Sequence, residues 1–232
     1  MRLLTNNTDF GRSFEWYIPQ LSVLNQGEAP SPRLGHVAAV AGDKMYIFGG
    51  HTVPDPKTNI EISNELFALD LQTMNWTKLG PNAEQGMLPL AYMANTVVYE
   101  DKRLALFGGL TQDESSKQFK VTNEVLYLDL KTAQWQKPSR VFVSNAADMP
   151  LTRMGAQMVN YGDKLWVYSG ADPYGLGVQL SDFFSFNMKK GLWKKESSYS
   201  ELNKGDGTLL GQALRMYNSN AVIFSGGCSI ED

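Results

Sequence analysis

The sequence predicts an all-β chain assembled from repeated four-stranded antiparallel meanders. Three observations carry that reading. An aromatic followed by small residues recurs as Phe48-Gly49-Gly50, Phe107-Gly108-Gly109, Tyr168-Ser169-Gly170 and Phe224-Ser225-Gly226-Gly227, with aromatic spacings of 59, 61 and 56 residues. A tryptophan keeps the same beat at Trp16, Trp76, Trp135 and Trp193, 60, 59 and 58 residues apart. No segment sustains a helical period. Two independent markers sharing one period define an internal repeat, and the repeat settles the architecture before any single residue does.

Within each period the elements follow in order. The first strand is small and apolar: His36 to Val40, Ala94 to Tyr99, Ala156 to Tyr161 and Gln212 to Tyr217. A Gly/Asp turn follows it, as in Ala41-Gly42-Asp43-Lys44, Glu100-Asp101-Lys102 and Gly162-Asp163-Lys164; such clusters between apolar runs are hairpin signals. The second strand runs Met45 to Phe48, Leu104 to Phe107, Leu165 to Tyr168 and Ala221 to Phe224, and ends on the glycines. The third covers Glu65 to Leu71, Glu124 to Leu130 and Asp182 to Met188. A short turn then leads into the tryptophan strand.

Meanders recurring at this length are the blades of a β-propeller, in which neighbouring sheets supply the core that each sheet lacks alone. A double glycine admits close backbone approach or positive φ. The tryptophan offers a large apolar surface to wedge between sheets, so Trp76, Trp135 and Trp193 are expected at equivalent buried positions. The residues resemble the kelch repeat. The resemblance rests on the aromatic-Gly-Gly strand end, the Asn-Glu starts at Asn64 and Asn123, Leu-Asp-Leu-x-Thr-x-x-Trp ending at Trp76 and Trp135, and Pro32-Arg33-Leu34-Gly35-His36. It spans about residues 14–227, closely in the first two repeats. The third and fourth depart from it: Ser169 and Ser225 replace the first glycine, and Ala156 and Gln212 replace the histidine.

The repeats fall at about 30–80, 87–140, 150–200 and 207–232, one domain in all. Phe14 to Ile18 resembles a tryptophan strand without partners, and residues 211–227 resemble first and second strands with nothing after them. The expectation is that Phe14 to Ile18 pairs with the strand ending at Phe224, or that another chain or a missing segment completes the ring. The resemblance implies rings of five to seven blades, which favours the second course.

Composition narrows the function classes. The net charge of −3 offers no bulk attraction for nucleic acid or anionic membrane. One cysteine excludes an internal disulfide framework, and no apolar run reaches membrane-spanning length. A cytoplasmic or nuclear protein, without membrane insertion, is expected. There is no Walker loop, dinucleotide fingerprint, nucleophile elbow or CxxC pair. With two histidines, His36 and His51, no metal or other cofactor is expected. Asp70, Asp129 and Asn187 share one repeat position, which assigns them a hydrogen-bonding scaffold role. The Lys189-Lys190 and Lys194-Lys195 pairs form a local basic spot, read as a solvated strand end.

Loop asymmetry remains. Turns after the first and third strands are short and uniform. The other connections are long and differ between repeats: His51 to Ser63, Leu110 to Thr122, Ala171 to Leu180, Gly80 to Leu88, Lys137 to Pro150 and Ser197 to Gly207. Long variable loops on a rigid ring are where recognition resides. That face is expected to bind a protein or peptide partner through Arg33, His51, Tyr92, Lys117, Phe119, Arg140, Arg153, Asp172 and Tyr174, since arginine with aromatics favours interface hot spots. Arg33 and Arg153 share a repeat position and are partly scaffold. The resemblance implies a non-catalytic scaffold or adaptor. Its alternative is a sugar-active enzyme similar to kelch-fold mutarotases or oxidases, although the histidines of a copper site are missing.

Overall fold

The computed structural model describes residues 28–52, 61–80, 94–100, 102–112, 118–172, 178–180, 182–197, 215–217 and 220–222. Three antiparallel sheets carry the expected meander. In blade one the strands Val37–Ala41, Lys44–Phe48, Leu66–Asp70 and Trp76–Gly80 pair in that order. Blade two repeats the order with Asn95–Tyr99, Arg103–Phe107, Val125–Asp129 and Gln134–Gln136, and blade three with Gln157–Tyr161, Lys164–Tyr168, Phe183–Asn187 and Leu192–Ser197. A hairpin of Arg215–Tyr217 and Asn220–Val222 begins a fourth unit beside the first strand of blade three. The first strands of consecutive blades are the ones that meet, so the sheets converge on their inner edges. Asn160 fixes one such meeting by donating to the Val98 carbonyl at 2.8 Å. The segments Phe14 to Ile18 and Phe224 onward lie outside the described residues.

The core lies between blades. Strand alternation sends Tyr46, Phe48, Leu66 and Ala68 to one side of blade one, where they meet Leu104, Leu106, Leu126 and Leu128 of blade two. On its other side, blade two offers Ala105, Phe107, Val125 and Tyr127 to Leu165, Val167, Phe184, Phe186 and Trp193 of blade three. The tryptophans sit across from Leu69, Leu128 and Phe186 in equivalent registers. Trp135 reaches back to Phe48 of the preceding blade (ring centroids 4.6 Å apart), and Trp193 reaches back to Phe107 (5.4 Å). Trp135 and Trp193 thus each pack on the aromatic that ends the preceding blade's second strand. Trp193 is fully buried, whereas Trp76 and Trp135 are half-buried.

Two turn motifs position everything else. Asp70 Oδ1 accepts from the Gln72 and Thr73 amides, Asp129 Oδ1 from Lys131 and Thr132, and Asn187 Oδ1 from the Lys190 amide. This is the scaffold role expected of that position. The amide hydrogen bonds hold the Asp70 and Asp129 carboxyls below the usual aspartate range. The turn closes on a left-handed residue, Met74, Ala133 or Gly191. At the second-strand ends, Gly109 has a φ of 87°, and a Cβ there would lie 2.7 Å from that of Ala94. Ser169 replaces the first glycine of its pair and keeps the left-handed conformation, with a φ of 61°.

Candidate interaction face

The long connections between second and third strands continue as paired ribbons. Leu110–Gln112 pairs with Phe119–Val121, and Ala171–Asp172 with Val178–Gln179. In blade one, His51–Thr52 pairs on one side with Glu61–Ile62 and on the other with Arg33–Leu34. The ribbons stand at one end of the blades; those of blades one and two are tied together by Ile62, Leu110 and Val121, with Met154 packed against them and bridged to Ala171 of the third. That end is therefore a supported platform. The sequence reading treated these stretches as loops because each ribbon strand has only two or three residues, too few for a period-2 signal.

Beneath the platform, each blade is braced at one acidic repeat position. Arg33 Nη2 binds Glu65 at 3.0 Å while its Nη1 donates to the Gly49 carbonyl. Lys78 Nζ contacts the other Glu65 oxygen at 2.6 Å. In blade two, Lys137 pairs with Glu124 at 2.9 Å. In blade three, Arg153 binds Asp182 at 2.6 Å and donates to the carbonyls of Leu151 and Ser169. Burial would push the Glu65 carboxyl up, but hydrogen bonds from Lys78, Arg33 and Ser63 outweigh it and hold the group below its ordinary value.

These braces correct the expected site. Arg153 is completely buried, and the Arg33 side chain is only 4% exposed. Both spend their guanidinium donors on carboxylates and strand-end carbonyls, so neither faces a partner. Arg140 is also misplaced in the sequence reading. Its carbonyl lies against Gly191, in the short turn between third and fourth strands of blade three, and its guanidinium covers Phe142. It belongs to the outer rim. Phe119 does sit exposed on the platform, and His51 lies half-buried in the blade-one ribbon. Asp172 is in the blade-three ribbon. Tyr92, Lys117 and Tyr174 lie outside the described residues.

The sequence reading missed two exposed apolar residues near this end, Leu34 and Leu151. It read Arg33 and Arg153 as partly scaffold without naming the acids they brace, although a signal existed. Arg33 and Arg153 repeat together with Glu65 and Asp182, opposite charges at two fixed repeat positions. Among the described residues, no group of three histidine, cysteine, aspartate or glutamate side chains could hold a metal ion, and no helix is long and apolar enough to cross a membrane.

The model of the KLHDC2/KLHL20/DRC7 Kelch-repeats domain matches residues 4–139 and 58–232, together covering nearly the whole chain. The chain belongs to the kelch-repeat family. Kelch relatives include host cell factor 1 of Homo sapiens, 30% identical over a 173-residue alignment that covers 69% of this chain and 8% of that protein. Tip elongation aberrant protein 1 of Schizosaccharomyces pombe is 28% identical over 65% of this chain and 12% of its own length. The leucine-zipper-like transcriptional regulator 1 homolog of Drosophila melanogaster is 27% identical over 74% of this chain and 16% of its own. The chain thus spans a fifth or less of the curated relatives it matches. The solved structure of YjhT superposes with a TM-score of 0.63 at 22% identity, covering 86% of this chain and 60% of that one. That likeness supports the kelch-type propeller fold.

Proposed function

We propose that this kelch segment is a non-catalytic interaction module that holds a protein or peptide on its ribbon platform. The observation that carries the reading is the platform itself. Ribbons from neighbouring blades rise at one end, share the cluster of Ile62, Leu110, Val121 and Met154, and present Phe119 to solvent at 48% exposure. A rigid base with exposed aromatic surface keeps the ordering cost of binding low. Leu151, Leu34 and His51 flank it in this reading, with Tyr92, Lys117, Asp172 and Tyr174 completing the contact set.

The same reading assigns a cover to the flank of blade one that has no neighbouring sheet among the described residues. Another chain or a further segment packs there, because Val40 is 54% exposed where its repeat equivalent Val98 is partly buried against the neighbouring blade.

The test compares partners captured from source cells by the wild-type chain, by a platform variant (Phe119→Ala with Leu151→Asp) and by a short-turn variant (Asp43→Ala with Lys131→Ala), each first shown to be folded. Partner loss from the platform variant alone is expected. Loss from the short-turn variant alone overturns the facial assignment. Turnover of a free sugar by the purified chain would instead favour the enzymatic alternative.

A further inference from the structure

Blade three carries a fifth strand that blades one and two lack among the described residues. Phe142–Val143 runs parallel to Leu192–Trp193 on the outer edge of the sheet, and the Phe142 amide donates to the Gly191 carbonyl at 2.7 Å. Gly191 makes this approach possible, because a Cβ there would collide with the Arg140 carbonyl. The amide and carbonyl of one residue point to the same side of a strand, and those of successive residues point to opposite sides. With Phe142 bonded inward, the backbone groups of Val141 and Val143 therefore face outward. The side chains are exposed as well: Val141 by 46%, Phe142 by 49% and Val143 by 36%. Three consecutive exposed apolar residues on an edge with no further strand among the described residues form either an aggregation hazard or a docking strand.

Charge selects the occupant. The rim holds the lysine pairs noted in the sequence, and the acids around it are already engaged. Asp163 takes Lys189, Glu196 takes Lys194 and Lys164, and Asp148 accepts from the Lys195 and Asn145 amides. Arg140 and Lys190, on either side of the Gly191 contact, have no carboxylate partner among the described residues. A chain of net charge −3 thus presents a positive, apolar, hydrogen-bonding edge.

We propose that the outer rim of blade three docks an extended acidic peptide by strand addition. Main-chain hydrogen bonds to Val141 and Val143 supply affinity, alternate apolar side chains pack on Val141 and Val143, and carboxylates meet Arg140 and Lys190. This surface is separate from the ribbon platform, and its occupancy does not depend on the platform's partner.

The probe is a fluorescein-labelled ten-residue peptide alternating glutamate and valine, followed by anisotropy against the full chain. Lysine–valine and proline-interrupted glutamate–valine peptides are the controls. The acidic peptide is expected to bind, the controls are not, and binding should weaken at least tenfold between 50 and 500 mM salt, in keeping with screening at these ionic strengths. Val143→Pro removes only an outward amide, and proline favours extended backbone in the residue before it. It should cost at least tenfold in affinity with the melting temperature retained. Arg140→Glu with Lys190→Glu should do the same through charge. Equal binding of the lysine peptide, unchanged affinity in both variants, or no binding overturns the proposal. So does a wild-type dimer in sedimentation velocity that Val143→Pro abolishes, since the edge would then belong to a second copy.

Discussion

Trp193 and Trp76 hold the same repeat position and differ in burial. Trp193 is 1% exposed, clasped by Phe107 of the preceding blade and by Phe184 and Phe186 of its own. Trp76 is half-buried. The second strand of the same blade shows the same contrast. Met45 and Ile47 are half-buried, whereas their equivalents Leu104, Leu106, Leu165 and Val167 are almost fully enclosed. Leu34 is 51% exposed, while its equivalent Met154 packs against the neighbouring ribbon. Burial in a repeat array is therefore a property of the junction and not of the repeat, because each sheet borrows half its core from the next.

The largest test of that comparison truncates the tryptophans in turn. Trp193→Ala should cost about 4 kcal/mol, the usual loss for a fully buried aromatic. Trp135→Ala, half-buried on Phe48, should cost about 3 kcal/mol. Trp76→Ala should cost about 1 kcal/mol, since much of its surface stays wet. Urea unfolding of the three variants supplies the order. A Trp76 variant as costly as Trp193 would mean that blade one has a cover on its outer flank.

The arginine braces come next. Arg153→Ala strands Asp182 and two carbonyls in a closed site and should cost about 3 kcal/mol. Arg33→Ala should cost about 1 to 2 kcal/mol, because Lys78 still holds Glu65 from the other side. Equal losses would show that the lysine contributes nothing.

How far the sequence reached follows the same division. Period and strand alternation depend on local pattern, so the meanders, the tryptophan registers and the Asp70, Asp129 and Asn187 turns were all legible. The depth of Arg33 and Arg153 was not, because an arginine near a variable loop reads as a contact until its acid is placed beside it. The rim strand was equally hidden. Phe142 pairs with Leu192 across some fifty positions of sequence, and two residues leave no local signature. The left-handed turn positions at Met74 and Ala133 carry no glycine to announce them.

A smaller effect separates the two ends of the blade-one brace by pH. The folded Glu65 carboxyl lies below its unfolded value. Its contribution is thus fully present above the unfolded pKa, near 4.3, and is lost as pH falls through the folded one. At neutral pH, Glu65→Gln should cost about 1 to 2 kcal/mol. Thermal melts at successive pH values should show the gap between wild type and Glu65→Gln closing below about pH 4. A gap that persists into strong acid would assign the loss to packing.

The smallest effect runs the other way and sits inside the best-sealed junction. The Tyr127 hydroxyl is buried between blades two and three with no hydrogen-bond partner among the described residues, and burial, with Tyr99 adding repulsion, pushes its pKa up to about 12. Removing an unpaired buried hydroxyl relieves its desolvation, so Tyr127→Phe should leave stability unchanged or raise it by up to about 1 kcal/mol. The pH dependence has a definite sign. In the unfolded chain this phenol ionises near pH 10, whereas in the folded chain it stays protonated to about pH 12. Between those values the unfolded state gains by releasing the proton, and folded stability falls as pH rises. Wild type should lose that increment relative to Tyr127→Phe across the window, which chemical denaturation at pH 9 and pH 11 can resolve. A variant that loses more than about 1 kcal/mol at pH 7 would show that the hydroxyl has a partner, and the junction between blades two and three would then be wetter than its apolar lining implies.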